Sequence, residues 1–162
     1  MRLTIEKPGF FALAFFLVIS VSWAYSEEPW EVFAGVPAEL NLYSRSSLAL
    51  GGGLFLGLGG DGVAMGMRAL YSRDMDNFQS LELTAFLRLY LPELRGNHRL
   101  FAQLNMGPGL FWEEDNDTQG AFCVGLTLGF RYLYGDTWFV EPSVRMGYPF
   151  LAGAGVAAGY RM

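Results

Sequence analysis

The chain has 162 residues, of which 52% are apolar, 16% aromatic and only 17% charged, with 21 glycines. This composition is too apolar for a disordered chain and too rich in glycine for a helical bundle. The formal net charge of −5 argues against nucleic acid as a partner, because nucleic-acid binding calls for a basic surface.

The N-terminal segment has the pattern of a secretory signal peptide. A basic start precedes an apolar run over residues 10–21, and small residues at the −3 and −1 positions predict cleavage after Ala24 or Ser26. An uncleaved anchor helix is the competing interpretation, but the run is short for a membrane span. We therefore assign residues 1–24 to the signal peptide and residues 27–162 to one exported domain.

The exported domain contains nine arginines and no lysine. Its one cysteine, Cys123, cannot form an internal disulfide, so we expect a small buried side chain there. No helical pattern follows the signal segment. Instead, apolar and polar residues alternate with a period of two, which is typical of β-strands. The alternation predicts eight strands, over residues 30–42, 47–58, 62–72, 79–91, 98–111, 120–134, 137–148 and 151–162.

The two faces of these strands differ in charge. Residues 80–91, SLELTAFLRLYL, place leucine or alanine on one face and Glu82 and Arg88 on the other. Sorting every strand in this way leaves one face apolar, and the opposite face collects the charged residues Glu31, Glu39, Arg68, Glu82, Arg88, Arg99, Arg131, Glu141, Arg145 and Arg161.

The charged face is a poor water-facing surface, because it has about one charge per strand and many glycines and phenylalanines. If its six arginines faced lipid, each would lower the stability of the folded barrel by about 2–4 kcal/mol near the bilayer midplane. A soluble barrel of the lipocalin type would need a charged outer face. The pattern therefore predicts an all-β fold: a closed, antiparallel, up-and-down, eight-stranded transmembrane β-barrel with apolar residues outside and arginine–glutamate pairs inside.

Aromatic residues lie near the predicted strand ends, where the interfacial girdles of a membrane barrel are expected. The proposed girdle residues are Trp30, Tyr132, Tyr134, Trp138 and Tyr160 at one end, and Tyr71, Trp112, Tyr148, Phe78, Phe111 and Phe122 at the other.

With this pattern the chain resembles the small eight-stranded outer-membrane proteins of the OmpA and OmpX type. Its ending, VAAGYRM, is similar to the family's C-terminal assembly signal, with Tyr160 third from the end and Met162 where phenylalanine is typical. The resemblance implies outer-membrane localisation, contact with outer-membrane lipid and with the barrel-assembly machinery, and a monomeric barrel.

Signals of catalysis are weak, and we predict neither an enzyme nor a cofactor. His98, the one histidine, lies at a turn without the serine spacing of lipid-modifying enzymes. The acidic loop that begins at Trp112 could bind a divalent cation through Glu113, Glu114, Asp115 and Asp117, but the spacing does not match an EF-hand loop and a solvated loop is the simpler explanation.

An eight-stranded barrel is just wide enough for side chains to fill. The sequence therefore predicts a plugged lumen and a structural or surface-interaction role, with external loops available to an unknown ligand. Two alternatives remain, a narrow or gated channel for ions or small solutes and an outer-membrane lipid-modifying enzyme. Among the adjacent-strand pairs that the sequence allows are Glu82 with Arg68, Arg88 or Arg99, and Glu141 with Arg131 or Arg145.

Overall fold

The computed structural model describes residues 30–43, 48–60, 62–75, 77–91, 98–113 and 118–162. In these residues the chain forms eight strands, β1 Glu31–Tyr43, β2 Leu48–Gly59, β3 Val63–Arg73, β4 Gln79–Tyr90, β5 His98–Trp112, β6 Gln119–Tyr134, β7 Trp138–Tyr148 and β8 Phe150–Arg161. Every boundary lies within one residue of its predicted position. The proposed signal segment lies outside the described residues. Over the described part of the chain, no helix is long and apolar enough to cross a membrane.

Each strand pairs antiparallel with the next, and β8 pairs with β1, so that the sheet closes into a barrel. At the closing seam, Phe33 lies opposite Arg161 and Leu42 lies opposite Ala152. Closure gives every strand two neighbours and removes exposed sheet edges, which a bilayer does not tolerate. The predicted closed eight-stranded antiparallel barrel is confirmed.

The links at the two ends of the barrel are similar in length. We call the end that carries Glu31 and Arg161 the terminal end, and the opposite end the far end. Three links lie at the terminal end, and the longest link of the barrel, residues 91–97, is one of them. The links at the far end are residues 44–47, 74–78, 113–118 and 149. Loop length therefore does not by itself distinguish the two ends.

Burial alternates along the strands with the period of the sequence pattern. In β1, Phe33 and Glu39 are buried, whereas Val36 is 65% exposed, and in β2 Leu50 is 67% exposed. The apolar face is therefore the outer face, and the interior is built from polar and aromatic side chains. This is the reverse of a soluble β-sheet protein.

Five inward phenylalanines form a layer on the terminal side of the lumen. Each lies directly opposite a glycine on the neighbouring strand, so the ring occupies the space that a side chain would otherwise take. The pairs are Phe33–Gly57, Phe55–Gly35, Phe86–Gly66, Phe101–Gly129 and Phe139–Gly159. Several of the rings meet edge to face, as with Phe33 and Phe55 at 6.2 Å between centroids. We call these five residues the phenylalanine layer.

A second group of rings, the far-end aromatic layer, lies on the opposite side of the lumen. It consists of Tyr43, Phe78, Phe111 and Phe150. The assignment of Phe78 and Phe111 to an outer girdle was wrong, because Phe111 has the inward parity of β5 and Phe78 packs on the buried ring of Tyr43. A register shift between Leu42 and Tyr43 accompanies the pairing of Tyr43 with the inward Phe150.

The glycines opposite the phenylalanine layer should not tolerate a side chain. In Gly159→Ala the new Cβ would meet the Phe139 ring and lie 2.5 Å from the carbonyl oxygen of Ala34. We expect the free energy of unfolding to fall by about 1–3 kcal/mol, the usual cost of overpacking. Urea unfolding of the barrel in lipid vesicles measures this change in the free energy of unfolding. The matched control is Gly120→Ala, because a Cβ there meets nothing within 4 Å; equal midpoints for both variants would contradict the proposed packing.

Candidate functional site

The charged residues of the lumen form the candidate site. Seven of the ten charged residues singled out from the sequence are buried inside the barrel, namely Glu39, Arg68, Glu82, Arg88, Arg131, Glu141 and Arg145. The other three, Glu31, Arg99 and Arg161, are partly exposed and line the terminal end. Buried charges need partners, because water is not available to solvate them.

Arg88, Arg131 and Glu141 form the terminal-side cluster. The Glu141 carboxylate accepts two hydrogen bonds from Arg88, at 2.5 and 3.1 Å, and one from Nε of Arg131 at 2.5 Å. Arg88 thus binds the carboxylate in the bidentate geometry that makes arginine–carboxylate pairs strong. The three side chains together carry one net positive charge.

A row of polar side chains continues from Arg88 along the inner wall. Nε of Arg88 donates a hydrogen bond to the amide oxygen of Gln103. The Gln103 amide nitrogen donates to the amide oxygen of Asn105, and the Asn105 amide nitrogen donates to Thr127 Oγ1. The distances are 2.8, 2.6 and 3.0 Å. Because each donor has an acceptor, this row holds the Arg88 guanidinium in one orientation toward Glu141.

Glu39, Arg68, Glu82 and Arg145 form the far-side cluster. Arg145 binds the Glu82 carboxylate through both terminal nitrogens, at 2.9 and 3.0 Å, and its Nε lies 3.2 Å from Glu39. Glu39 also pairs with Arg68 at 2.5 Å. The hydroxyl of Tyr43 donates to Glu82 at 3.1 Å, which connects this cluster to the far-end aromatic layer.

The two aromatic layers cover the charged clusters on both sides. The guanidinium carbon of Arg88 lies 4.0 Å from the centroid of the Phe101 ring. The guanidinium carbon of Arg131 lies 4.1 Å from the centroid of the Phe139 ring. That of Arg145 lies 3.7 Å from the Phe150 ring. Such cation–π contacts stabilise a desolvated arginine. Between the clusters there is a small cavity of about 30 Å3, whose lining includes polar residues of both.

The observed ion pairs differ in part from those that adjacent strands allowed. Glu141 does pair with Arg131 on the neighbouring strand. Glu82, however, receives Arg145 from β7, three strands away, and not an arginine of an adjacent strand. Arginine side chains are long enough to cross so narrow a lumen, and strand neighbourhood alone does not show which residues of opposite walls lie at the same depth.

Apart from Phe78 and Phe111, the predicted girdle residues lie on the outside of the barrel near its ends. At the terminal end the exposed rings are Tyr132, Tyr134, Trp138 and Tyr160, and Trp30 is partly exposed. At the far end the exposed rings are Tyr71 and Tyr148, and Trp112 is partly exposed. Trp138 and Tyr160 are register partners with ring centroids 5.2 Å apart. Phe122 is also exposed.

The remaining sequence-based residues lie away from the charged lumen. The His98 ring packs on Tyr132 at 4.1 Å. Cys123 is buried on the inner side of β6. Met162 follows β8 and its backbone nitrogen donates to Val32. Of the acidic loop, Glu113 alone is described; Glu114, Asp115 and Asp117 lie outside the described residues. No cluster of metal-ligating side chains occurs in the described ranges.

Comparison with known proteins shows similarity of fold without similarity of sequence. No protein-family model and no curated protein sequence matches the chain. Among solved structures, the N-terminal β-barrel domain of Pseudomonas aeruginosa OprF matches with a TM-score of 0.61 and 14% identity, over 80% of this chain and 97% of that one. Neisserial surface protein A matches with a TM-score of 0.61 and 12% identity, over 82% and 96%.

The outer membrane enzyme PagL is also similar, with a TM-score of 0.50 and 12% identity over 79% of this chain and 98% of that one. These likenesses show that the chain has the eight-stranded barrel fold of outer-membrane proteins. The same fold carries both PagL and proteins that are not described as enzymes, so the fold alone does not determine the activity.

Removing the central carboxylate of the terminal-side cluster should destabilise the barrel strongly. Glu141→Gln leaves Arg88 and Arg131 buried without their counter-charge, so we expect a loss of about 3–5 kcal/mol in the free energy of unfolding. Glu31→Gln is the matched control. It removes a carboxylate paired with Arg161 at 3.0 Å but 40% exposed, and should cost less than about 1 kcal/mol. Urea unfolding measures both variants, and similar losses in their free energies of unfolding would contradict this expectation.

Proposed function

We propose that the chain is an integral outer-membrane protein whose lumen is filled by its own side chains, and that it serves as a structural or surface-interaction barrel of the cell envelope. The observation that carries this proposal is the series of side chains along the axis. On the terminal side of the lumen these are the phenylalanine layer and the terminal-side cluster, which overlap in depth, and beyond them lie the far-side cluster and the far-end aromatic layer. An eight-stranded barrel leaves little space beside such layers.

The outer surface supports a membrane location. Between the aromatic residues of the two ends, the strands present leucine, valine, methionine and alanine, and many of these side chains are exposed. An apolar surface of this extent would favour aggregation in water, whereas lipid covers it at no cost. With residues 1–24 as a signal peptide, the chain would reach the outer membrane after export.

A membrane-embedded barrel should show two linked properties. We expect unheated protein in detergent gels to migrate differently from boiled protein, because the closed, hydrogen-bonded sheet resists the detergent until it is heated. In cell fractionation, the protein should appear in the outer-membrane fraction, with residue 25 or 27 at its N-terminus. Unchanged mobility together with recovery in the soluble fraction would disprove the barrel in the membrane.

The external contact surface would be the rim of the far end. The links there contain four, five, six and one residues, at positions 44–47, 74–78, 113–118 and 149. β5 and β6 are the two longest strands, with 15 and 16 residues, and they bring Trp112 and Glu113 to this rim. We infer that a partner would contact the strand ends and short links, because no long loop is available there.

A narrow or gated channel is the second candidate, and the observation that favours it is the small cavity of about 30 Å3 between the two clusters. The cavity lies between the two aromatic layers, so a passage would require both layers to open. A lipid-modifying enzyme is the third candidate, because PagL shares the fold. His98, the one histidine, is stacked on Tyr132 and forms no part of the charged clusters.

Conductance distinguishes the filled barrel from the channel. We expect the folded wild-type protein to give no steady single-channel steps in planar bilayers. Phe139→Ala should remain closed, because the far-end aromatic layer still blocks the lumen, whereas Phe139→Ala combined with Tyr43→Ala removes rings from both layers and should raise the current. Gel mobility verifies that each variant is folded. Uniform steps from the wild-type protein would rule out the filled lumen.

A further inference from the structure

One charged side chain of the strands lies on the outer surface of the barrel. At the end of β3, Tyr71 and Arg73 are exposed and Ser72 between them is buried, so Arg73 has the outward parity. The other charged residues of the described strands have the inward parity. Arg73 lies two residues beyond the girdle residue Tyr71, which places it at the level of lipid headgroups and not of hydrocarbon.

The guanidinium of Arg73 is held by a neutral group. Its Nη2 donates to Oδ1 of Asn77, in the link that follows β3, at 3.1 Å. The carboxylate next to it in the chain, Asp74, is buried, and its Oδ1 accepts a hydrogen bond from the backbone nitrogen of Phe78. Arg73 forms no ion pair with any residue that the structure describes. A guanidinium has five N–H donors, so most of them are available to a ligand.

The register brings two further donor side chains level with Arg73. Arg73 lies opposite Gln79 on β4, and Gln79 lies opposite Trp112 on β5. These three residues form a row across adjacent strands that are about 4.8 Å apart. The hydroxyl of Tyr71 donates to Oε1 of Gln79 at 2.7 Å, so the acceptor end of the amide is occupied and its nitrogen is the end left for a ligand. We call Arg73, Gln79 and Trp112 the donor row.

The outer surface beside and below the donor row is apolar. Leu50 is the register partner of Arg73 on β2 and is 67% exposed. Leu83 and Leu110, nearer the middle of the barrel on β4 and β5, are each 47% exposed. A ligand that covers both regions therefore needs an anionic head and an apolar body. A membrane lipid has this composition, whereas a small soluble anion would leave the leucines uncovered.

We propose that the donor row binds the phosphate of a lipid headgroup in the leaflet around the far end, with the acyl chains of the same lipid against the exposed leucines. Arginine binds phosphate through paired N–H donors, and the Gln79 amide adds a donor beside it. The uncompensated charge of Arg73 selects an anionic head. The proposal rests on the membrane location proposed above and adds the class of lipid that the far end binds.

Native mass spectrometry of the folded protein in a maltoside detergent tests the proposal. The probe is dioctanoyl phosphatidic acid, added at increasing mole fractions in the micelles, and dioctanoylglycerol is the same lipid without the phosphate. We expect saturable binding of one phosphatidic acid and binding of dioctanoylglycerol that is at least about tenfold weaker, the change that corresponds to the loss of a charge-assisted hydrogen bond. Sodium phosphate at equal ionic strength to sodium chloride should not displace the bound lipid.

Two variants test the donor row itself. Arg73→Gln should weaken the binding of phosphatidic acid about tenfold or more. Gln79→Glu keeps Arg73 but places a carboxylate opposite it, which supplies a counter-charge and repels phosphate, so the binding should weaken to a similar extent.

Arg161→Gln is the matched control, because it removes one positive charge at the opposite end of the barrel. There Arg161 pairs with Glu31 at 3.0 Å and donates to the carbonyl oxygen of Asp136. We expect this variant to bind phosphatidic acid as the wild type does. Gel mobility verifies that each protein is folded.

Several outcomes would overturn the proposal. Equal binding of phosphatidic acid and dioctanoylglycerol would show that the phosphate is not recognised. Unchanged affinity in Arg73→Gln, or an equal loss in Arg161→Gln, would reduce the effect to general attraction by net charge. Displacement of the lipid by sodium phosphate would indicate a site for a free anion. The measurement uses purified protein in micelles, so its result is independent of the fractionation and conductance experiments that test the proposed function.

Discussion

Buried charge inside a narrow closed sheet is the constraint on which the rest of this structure depends. A barrel surrounded by lipid keeps charged side chains away from its outer surface, so here they collect in the lumen, where little water remains to solvate them. Glu82 and Glu141 each bind an arginine from three strands away, and these ion pairs connect opposite walls of the barrel. The charges therefore both fill the interior and hold the walls together.

The aromatic layers make this arrangement possible. The phenylalanine layer fits because each of its rings lies over a glycine of the next strand, which leaves room in a lumen that would otherwise be overfilled. Arginines of both clusters lie against aromatic rings of the two layers, so the same rings that occupy the lumen also stabilise the guanidinium groups. Packing and electrostatics are thus properties of one set of residues.

The two charged clusters differ in their balance. In the terminal-side cluster, Glu141 serves both Arg88 and Arg131, so its three side chains carry one net positive charge. The far-side cluster has two arginines and two glutamates.

Most of the fold could be predicted because a strand's period of two is a local property. The alternation of SLELTAFLRLYL is enough to assign Leu83 to the outside and Glu82 to the inside, and a length of about ten residues agrees with a bilayer. Phe78 and Phe111 were misplaced because an aromatic residue at a strand end can serve an outer girdle or an inner layer. The register near Tyr43 and the packing of the neighbouring rings decide between them.

The sequence by itself determined the number of strands, the face that residues inside the strands occupy and the absence of charge from the apolar face, because these depend only on the order of residues along each strand. It did not determine the side taken by aromatic residues at the strand ends, such as Phe78 and Phe111. Which arginine meets which glutamate was decided only by the tertiary structure. Ion pairing across the lumen depends on the depth at which each strand places its side chains after the sheet has closed, and that depth follows from the registers of all eight strand pairs together.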